Sequence, residues 1–385
     1  MKVTELLAAT AVVPLRNVTS FSTRTVSERH YTLVKVRTDE GVEGLGFCYC
    51  GNRAGWIVTR AVLDLLASHV VGRDPHDTEA IWEAMYRDSV LMGRRGAVLR
   101  AISAIDIALW DAVSKAAGLP LYRYLGAYAQ DSVPAYASGG YYLDGKTTKD
   151  LADECAAYAA AGFKAVKIKV GRVSAREDAE RIAAVRRAIG DDVELFVDAN
   201  NAWNDATSAI RAIRQWEEYD LGWVEEPTMP DELEASAAVA AAVDPPIATG
   251  EIHQTRWDFL EILERSAASI LQPDAGVVGG ITEFRRVASL AAAHGVTLAP
   301  HWLADLHVHL VASTPNATYV EFFTDTEVLN IMELFATKLR FEDGNLLLPQ
   351  EPGLGITLDD AAVERYSPDG WHKGTALDKG LALDP

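Results

Sequence analysis

The sequence predicts an α/β protein, a (β/α)8 barrel of the TIM type preceded by an α+β capping domain. Three observations carry that expectation. Short apolar runs recur about one βα unit apart, each closes on a polar group, and 385 residues are too many for one barrel of ordinary size. The runs are VPAYAS, AVKIK, ELFVD, LGWVE, PIATGE, SILQPD, VTLAPH and TYVE, closing on Ser138, Lys169, Asp198, Glu225, Glu251, Asp274, His301 and Glu321. Helix-length segments separate them. A barrel gathers its chemistry at the C-terminal ends of its strands, so these eight residues are expected round one mouth.

Residues 1–130 are expected to form the capping domain, 131–328 the barrel, and 329–385 a segment that returns to the cap. In the cap, Tyr31–Arg37 and Val42–Phe47 read as strands about a turn at Asp39-Glu40-Gly41. Residues 57–70, 77–90 and 96–117 read as helices, the last ended by Gly118 and Pro120. Barrel helices are expected at Ala179–Ile189, Ala206–Glu217 and Ile281–Ala293. Ser367–Pro385 is polar and punctuated by Gly and Pro, and is expected at the surface. Two polar, cationic segments, 15–30 with Arg16 and Arg24 and 49–56 with Tyr49, Asn52 and Arg53, read as loops over the barrel mouth.

Hydrophobic residues make up 49% of the chain, enough for large cores, and the formal net charge is −19. That charge argues against non-specific nucleic-acid binding and makes an anionic ligand depend on a local cationic site. Three cysteines, with Cys48 and Cys50 lacking a second pair, point to a reducing, cytoplasmic setting without a disulfide framework. No apolar run reaches membrane-spanning length. Glu5 interrupts the apolar N-terminus, which favours a first strand over a signal peptide.

Asp198, Glu225 and Glu251 close three consecutive strands. Adjacent strands lie about 4.8 Å apart, so the three carboxylates can converge on one hard cation. Oxygen-only ligands favour Mg²⁺, with Mn²⁺ as a substitute. One such carboxylate alone would more often cap a turn or pair with a base. Alternation turns Glu225 inward and Glu226 away. Lys167 and Lys169 share one strand face, and an inward lysine near a metal and a second lysine is expected to have a lowered pKa, which suits a general base. Asp274 and His301 read as a carboxylate–imidazole pair and a second acid/base. Glu321, if protonated, is a candidate hydrogen-bond donor to a substrate oxygen. His253 reads equally as a loop hydrogen-bonding residue, and His307 and His309 as structural residues of the following helix.

Taken in order, these residues resemble the enolase superfamily and its mandelate racemase subgroup. The matching motifs are AIDIALWDAVSKAAGLPLYRYLG in the cap, K-I-K at Lys167–Lys169, VDAN at 197–200, WVEEP at 223–227, TGE at 249–251, QPD at 272–274, APH at 299–301 and VEFF around Glu321. The resemblance implies an enolase-type modified barrel and removal of the proton α to a carboxylate. It implies Mg²⁺ on Asp198, Glu225 and Glu251, with Lys169 and the Asp274-paired His301 as the two bases. Lys167 would tune Lys169 and contact the substrate carboxylate, Ser138 and Glu321 would hydrogen-bond it, and Asn200 would lie near the metal. Relatives assemble as dimers to octamers, so a homo-oligomer is implied as well.

No lysine occurs between Lys169 and Lys338, which disfavours the patterns whose base lysine lies late in the barrel. Asn200 in place of histidine departs from the galactonate-dehydratase pattern, and Lys169 departs from the mannonate-dehydratase one. A dehydratase and a racemase or epimerase both fit two bases; a barrel that binds a sugar acid without turning it over is a different class, and a metal-dependent hydrolase would usually bring histidine ligands that these positions lack. The polar, cationic loops favour a small polyhydroxylated or dicarboxylic acid, hence an acid-sugar dehydratase, with Arg24 or Arg53 as candidates for a second carboxylate. Tyr141, Tyr142 and Trp203 are candidates for shaping the pocket or for packing alone.

Overall fold

The computed structural model describes residues 1–375; residues 376–385, within the tail expected at the surface, lie outside the described residues. Strands β1 (Val3–Phe21), β2 (Arg24–Thr38) and β3 (Glu43–Tyr49) form an antiparallel sheet. The loop expected at 15–30 is instead the end of a long hairpin. After a register shift between Pro14 and Thr19, β1 and β2 pair again up to a turn at Ser22 and Thr23. Thr19, Phe21 and Val26 are buried there while their polar neighbours face outward, so a two-faced strand carries a loop-like composition.

Strand β3 lies against the helix Ala97–Ala116 so closely that only glycine fits at two positions. A Cβ on Gly44 or Gly46 would stand 2.0 or 1.9 Å from the carbonyl oxygens of Ala108 and Ala104. The helix expected at 57–70 is irregular: an α turn at Trp56–Arg60 widens to a π turn at Ala61–Leu66 and ends in a 3₁₀ turn at Ala67–His69.

Eight parallel strands follow: β4 (Ser132–Ser138), β5 (Ala165–Lys169), β6 (Glu194–Asp198), β7 (Leu221–Glu225), β8 (Ile247–Thr249), β9 (Ile270–Leu271), β10 (Thr297–Leu298) and β11 (Val320–Phe322). Each pairs with the next through β10, a bridge from Leu298 to Ala317 leads to β11, and β11 closes on β4 with Glu321 opposite Tyr136. Helices stand between them, including Ala175–Ile189, Gly280–Ala293 and Ala206–Ile213, the last shorter than expected. Inside the barrel, Phe196 and Trp223 stack with ring centroids 3.4 Å apart, and Tyr136 meets both edge-on. Two residues on along the same strands, on the same face, stand Ser138, Asp198 and Glu225. An aromatic floor therefore underlies a polar mouth.

Strands β12 (Phe341–Glu342) and β13 (Asn345–Leu347) form a hairpin on the first half of β4, and β14 (His372–Lys373) pairs with β1. Two buried aspartates of the helix Ala97–Ala116 join these parts. Asp106 accepts from the Thr282 amide (2.9 Å) and hydroxyl (2.6 Å) on a barrel helix. Asp111 accepts from the amides of Leu45 and Leu354, both at 2.7 Å, and from Lys115. Among the described residues no helix is long and apolar enough to cross a membrane.

Removing the Asp111 carboxylate strands two buried amides and leaves Lys115 only the Glu43 carbonyl. Asp111→Ala is expected to lower the unfolding free energy by roughly 3–5 kcal/mol, read from urea denaturation; a change under about 1 kcal/mol would show that this joint is not structural.

Candidate active site

Asp198 and Glu225 end β6 and β7, and Glu251 lies two residues past β8. One carboxylate oxygen from each lies within 4.8 Å of the other two. Trp223 Nε1 (3.2 Å) and Gln272 Nε2 (2.7 Å) donate to Glu225 Oε2 and fix its direction. Burial, then the neighbouring Asp198, push the Glu225 carboxyl up to about 7. The next residue, Glu226, has φ 43° and a buried carboxylate with no hydrogen-bond partner, outside the trio. Asn200, at φ 42°, donates its amide to Asp198 and leaves its buried Oδ1 unpartnered. Three anionic oxygens, with an unpartnered amide oxygen close by, fit a hard divalent cation.

Lys167 and Lys169 enter from β5. Lys167 Nζ lies 2.8 and 2.9 Å from the two Glu225 oxygens, 2.9 Å from Glu321 Oε1 and 3.7 Å from Asp198. Lys169 Nζ is bonded to Asp198 and lies 5.0 Å from the Tyr141 ring centre. Without a cation on the trio, the lysine pKa values are raised rather than lowered. Burial lowers both, but Glu225 and Glu321 outweigh it at Lys167 and Asp198 outweighs it at Lys169, so both are raised. Carboxylates in direct contact prevail over the neighbouring like charge.

At the other end of the trio, His301 Nε2 lies 3.4 Å from Glu251 and Nδ1 lies 3.0 Å from Asp274 Oδ2. Asp274 caps a short helix at Ala275–Val278 by accepting from the Gly276 amide at 2.7 Å, which holds its carboxylate against His301. Burial lowers the imidazole pKa, but Glu251 and Asp274 outweigh it and raise it to about 9. Glu321 accepts from the Trp302 amide at 2.7 Å. Burial raises its pKa, but Lys167 and His301 draw it well below the carboxylate range, so it stands ionised rather than as the expected neutral donor. Ser138 Oγ is buried without a partner.

Above these groups lies a cavity of about 430 Å³, lined among others by Lys169, Asn200, Glu251, Asp274, His301 and Glu321. Arg24, Tyr49 and Asn52 also line it, whereas Arg53 is exposed and does not, because its side chain leaves the loop on the solvent side. Arg29 and Arg100 take that place; both line the cavity, and the sequence reading passed over them. Ser22 and Thr23 at the hairpin turn donate to the Asn200 carbonyl, at 2.9 and 3.3 Å, so the cap rests on the barrel mouth. Tyr141 lines the cavity, but Tyr142 turns to Asp178 and Trp203 packs on Trp216. His253 bonds the Pro230 carbonyl, and His307 and His309 are buried in hydrogen bonds within the fold.

The geometry defines a class: a capped barrel with a cation-ready carboxylate trio flanked by two acid/base groups. The family sequence models agree. Residues 4–126 match the mandelate racemase / muconate lactonizing enzyme N-terminal domain, and residues 150–362 match the enolase C-terminal domain-like family. The chain belongs to the enolase superfamily, in its mandelate racemase subgroup. It is 39% identical over 330 residues to L-talarate/galactarate dehydratase of Salmonella typhimurium, covering 86% of this chain and 81% of that one. It is 37% identical over 334 residues to 3,6-anhydro-alpha-L-galactonate cycloisomerase of Streptomyces coelicolor, covering 87% and 90%. The crystal structure of a Polaromonas L-talarate dehydratase complexed with Mg and L-glucarate superposes with a TM-score of 0.87 at 35% identity, covering 97% and 99%.

A cation on Glu251 competes with the proton that Glu251 helps to hold on His301. Mn²⁺ affinity, followed by paramagnetic resonance, is expected to rise from about pH 7 to about 9, through the range in which His301 retains its proton in the metal-free protein. Glu225→Gln should lose that binding and Glu226→Gln should keep it. A flat pH response, or the reverse order of the two variants, would contradict the ligand set.

Proposed function

We propose that the chain is a Mg²⁺-dependent acid-sugar dehydratase. It removes the proton α to the carboxylate of an aldonate or aldarate, loses the β-hydroxyl, and yields a 2-keto-3-deoxy acid. The observation that carries this reading is that Lys169 and His301 touch opposite ends of one carboxylate trio, at Asp198 and at Glu251. The dehydratase relatives with Mg and an acid sugar support it.

Asp198, Glu225 and Glu251 would hold the cation. When bound, Mg²⁺ supplies positive charge against which the substrate carboxylate accumulates the negative charge of deprotonation. Lys167 and the Ser138 hydroxyl donate to the carboxylate end of the substrate, and Glu321, ionised in the metal-free protein, holds Lys167 in place. Lys169 Nζ accepts the α-proton, and the electron pair left behind forms an enediolate. His301 Nε2 returns a proton to the β-hydroxyl, which leaves as water, and the enol tautomerises to the ketone. Asp274 holds Nδ1, so that Nε2 is the nitrogen aimed at substrate. Lys169 must be neutral to act, and Asp198, the carboxylate that keeps it charged here, is one of the three that would serve the cation.

The same pair of bases favours a second reading, an isomerase that removes the α-proton on one side and returns it on the other; the likeness to a magnesium-bound racemase of Streptomyces coelicolor supports it. We also read residues 1–130 as the specificity-bearing cap and 131–328 as the catalytic barrel; of the segment expected to return to the cap from 329, β12 and β13 lie on the barrel and β14 reaches the cap. The chain reads as a cytoplasmic homo-oligomer, a view supported by its free cysteines and by Leu91 and Met92, 98% and 71% exposed at an apolar turn.

Incubation with Mg²⁺ in D₂O against aldonic, aldaric and simple 2-hydroxy acids separates the two readings by NMR. A 2-keto product from one acid sugar supports dehydration, and α-deuterium with inversion and no ketone supports isomerisation. Lys169→Ala is expected to lower the favoured reaction about 10²–10⁴-fold; an unchanged rate would remove lysine from the mechanism. A single-chain mass in light scattering would contradict the oligomer.

A further inference from the structure

We infer that the substrate carries a second carboxylate and that Arg29 reads it. This rests on the acid-sugar reading above and narrows it to a dicarboxylic acid sugar. Three arginines, Arg24, Arg29 and Arg100, line the cavity. Among the described residues each guanidinium is hydrogen-bonded only to neutral groups. Arg24 donates to Asn201 Oδ1 at 3.3 Å, Arg100 to the Tyr49 carbonyl at 2.6 Å, and Arg29 to the Val328 carbonyl at 2.8 Å and the Tyr49 hydroxyl at 3.1 Å.

Arg29 is the most demanding of the three, because only 4% of it is exposed. A buried guanidinium without a counter-ion is costly. The carboxylates of the same cavity are already engaged: Glu321 by Lys167, Asp274 by His301, and Glu251 within the trio. A cationic surplus therefore remains on one wall of a chain whose net charge is −19.

The placement suits a distal group. The Arg29 guanidinium lies 5.3 Å from the Tyr49 ring centre and 5.6 Å from that of Trp302, and the Trp302 ring centre is 6.0 Å from that of His301. Arg29 is thus one aromatic layer away from the acid/base group, on the cap side. Its Nε and Nη1 bonds fix the plane of the fork, while Nη2 has no acceptor among the described residues. A fixed guanidinium with a free edge is suited to a carboxylate and ill suited to rejecting water for a neutral hydroxymethyl end.

The test compares an aldarate with the aldonate of matching configuration, using kcat/KM with Mg²⁺ present. In the wild type the aldarate is expected to be favoured about 100-fold, the value of a lost charge-assisted bond. Arg29→Gln should collapse that ratio mainly through KM, and Arg29→Lys should restore part of it. If Arg29→Gln fails to fold, the wild-type ratio and the binding of the two acids to Lys169→Ala decide the question. A wild type that dehydrates the aldonate as well as or better than the aldarate overturns this inference and leaves the dehydratase reading standing. A ratio unmoved by Arg29→Gln overturns the assignment to Arg29. Turnover of neither acid, with no preference for the dicarboxylate in binding, overturns the inference together with the reading it rests on.

Discussion

The ion pairs between two buried ammonium groups and the carboxylates of the barrel mouth are what the rest of the structure depends on. Asp198, Glu225 and Glu321 are each almost fully buried, and Lys167 alone contacts all three. Any of these charges left alone in the interior would cost several kcal/mol. The aromatic stack of Tyr136, Phe196 and Trp223 beneath them excludes water and sets their height, and Trp223 also donates to Glu225. Strand alternation then does the sorting, placing packing residues at one level and charges at the next.

This arrangement has a chemical consequence. The carboxylates that neutralise Lys169 and His301 are those arranged to meet a cation, so the protonation of the bases and the occupancy of the trio are linked. Asp198 contacts one base and Glu251 the other, so the trio lies between two proton-transfer groups that both line the cavity. The cap completes the enclosure. Its hairpin turn binds the Asn200 carbonyl, and its helix Ala97–Ala116 ties to a barrel helix through Asp106 and Thr282.

Much of this was legible in the residues, for identifiable reasons. The barrel strands announce themselves by apolar runs with polar ends, and alternation puts Glu225 on the inner face two residues after Trp223, whereas the φ of 43° at Glu226, just past the strand, leaves no mark in the pattern. The hairpin at 15–30 was hidden because its outward face is polar although Thr19, Phe21 and Val26 are buried. Arg29 was missed because it stands inside β2 among residues that read as ordinary strand, and Arg100 because it follows Leu99 on a helix of the cap; nothing local marks either as facing the cavity. The rise of the lysine pKa values in the metal-free protein was hidden for a different reason. It depends on contacts of about 3 Å between side chains far apart in sequence, and pattern gives residue types and faces but not such distances.

The central claim is that Lys169 takes the α-proton while His301, at the other end of the trio, protonates the departing β-hydroxyl. The most direct measurement follows α-deuterium and 2-keto product together in D₂O with Mg²⁺, in Lys169→Ala and in His301→Asn. The account predicts that Lys169→Ala loses both signals on the acid sugar that the wild type dehydrates, and that His301→Asn loses the keto product while keeping α-exchange. Full α-exchange in Lys169→Ala, or keto product unaffected by either substitution, would contradict it.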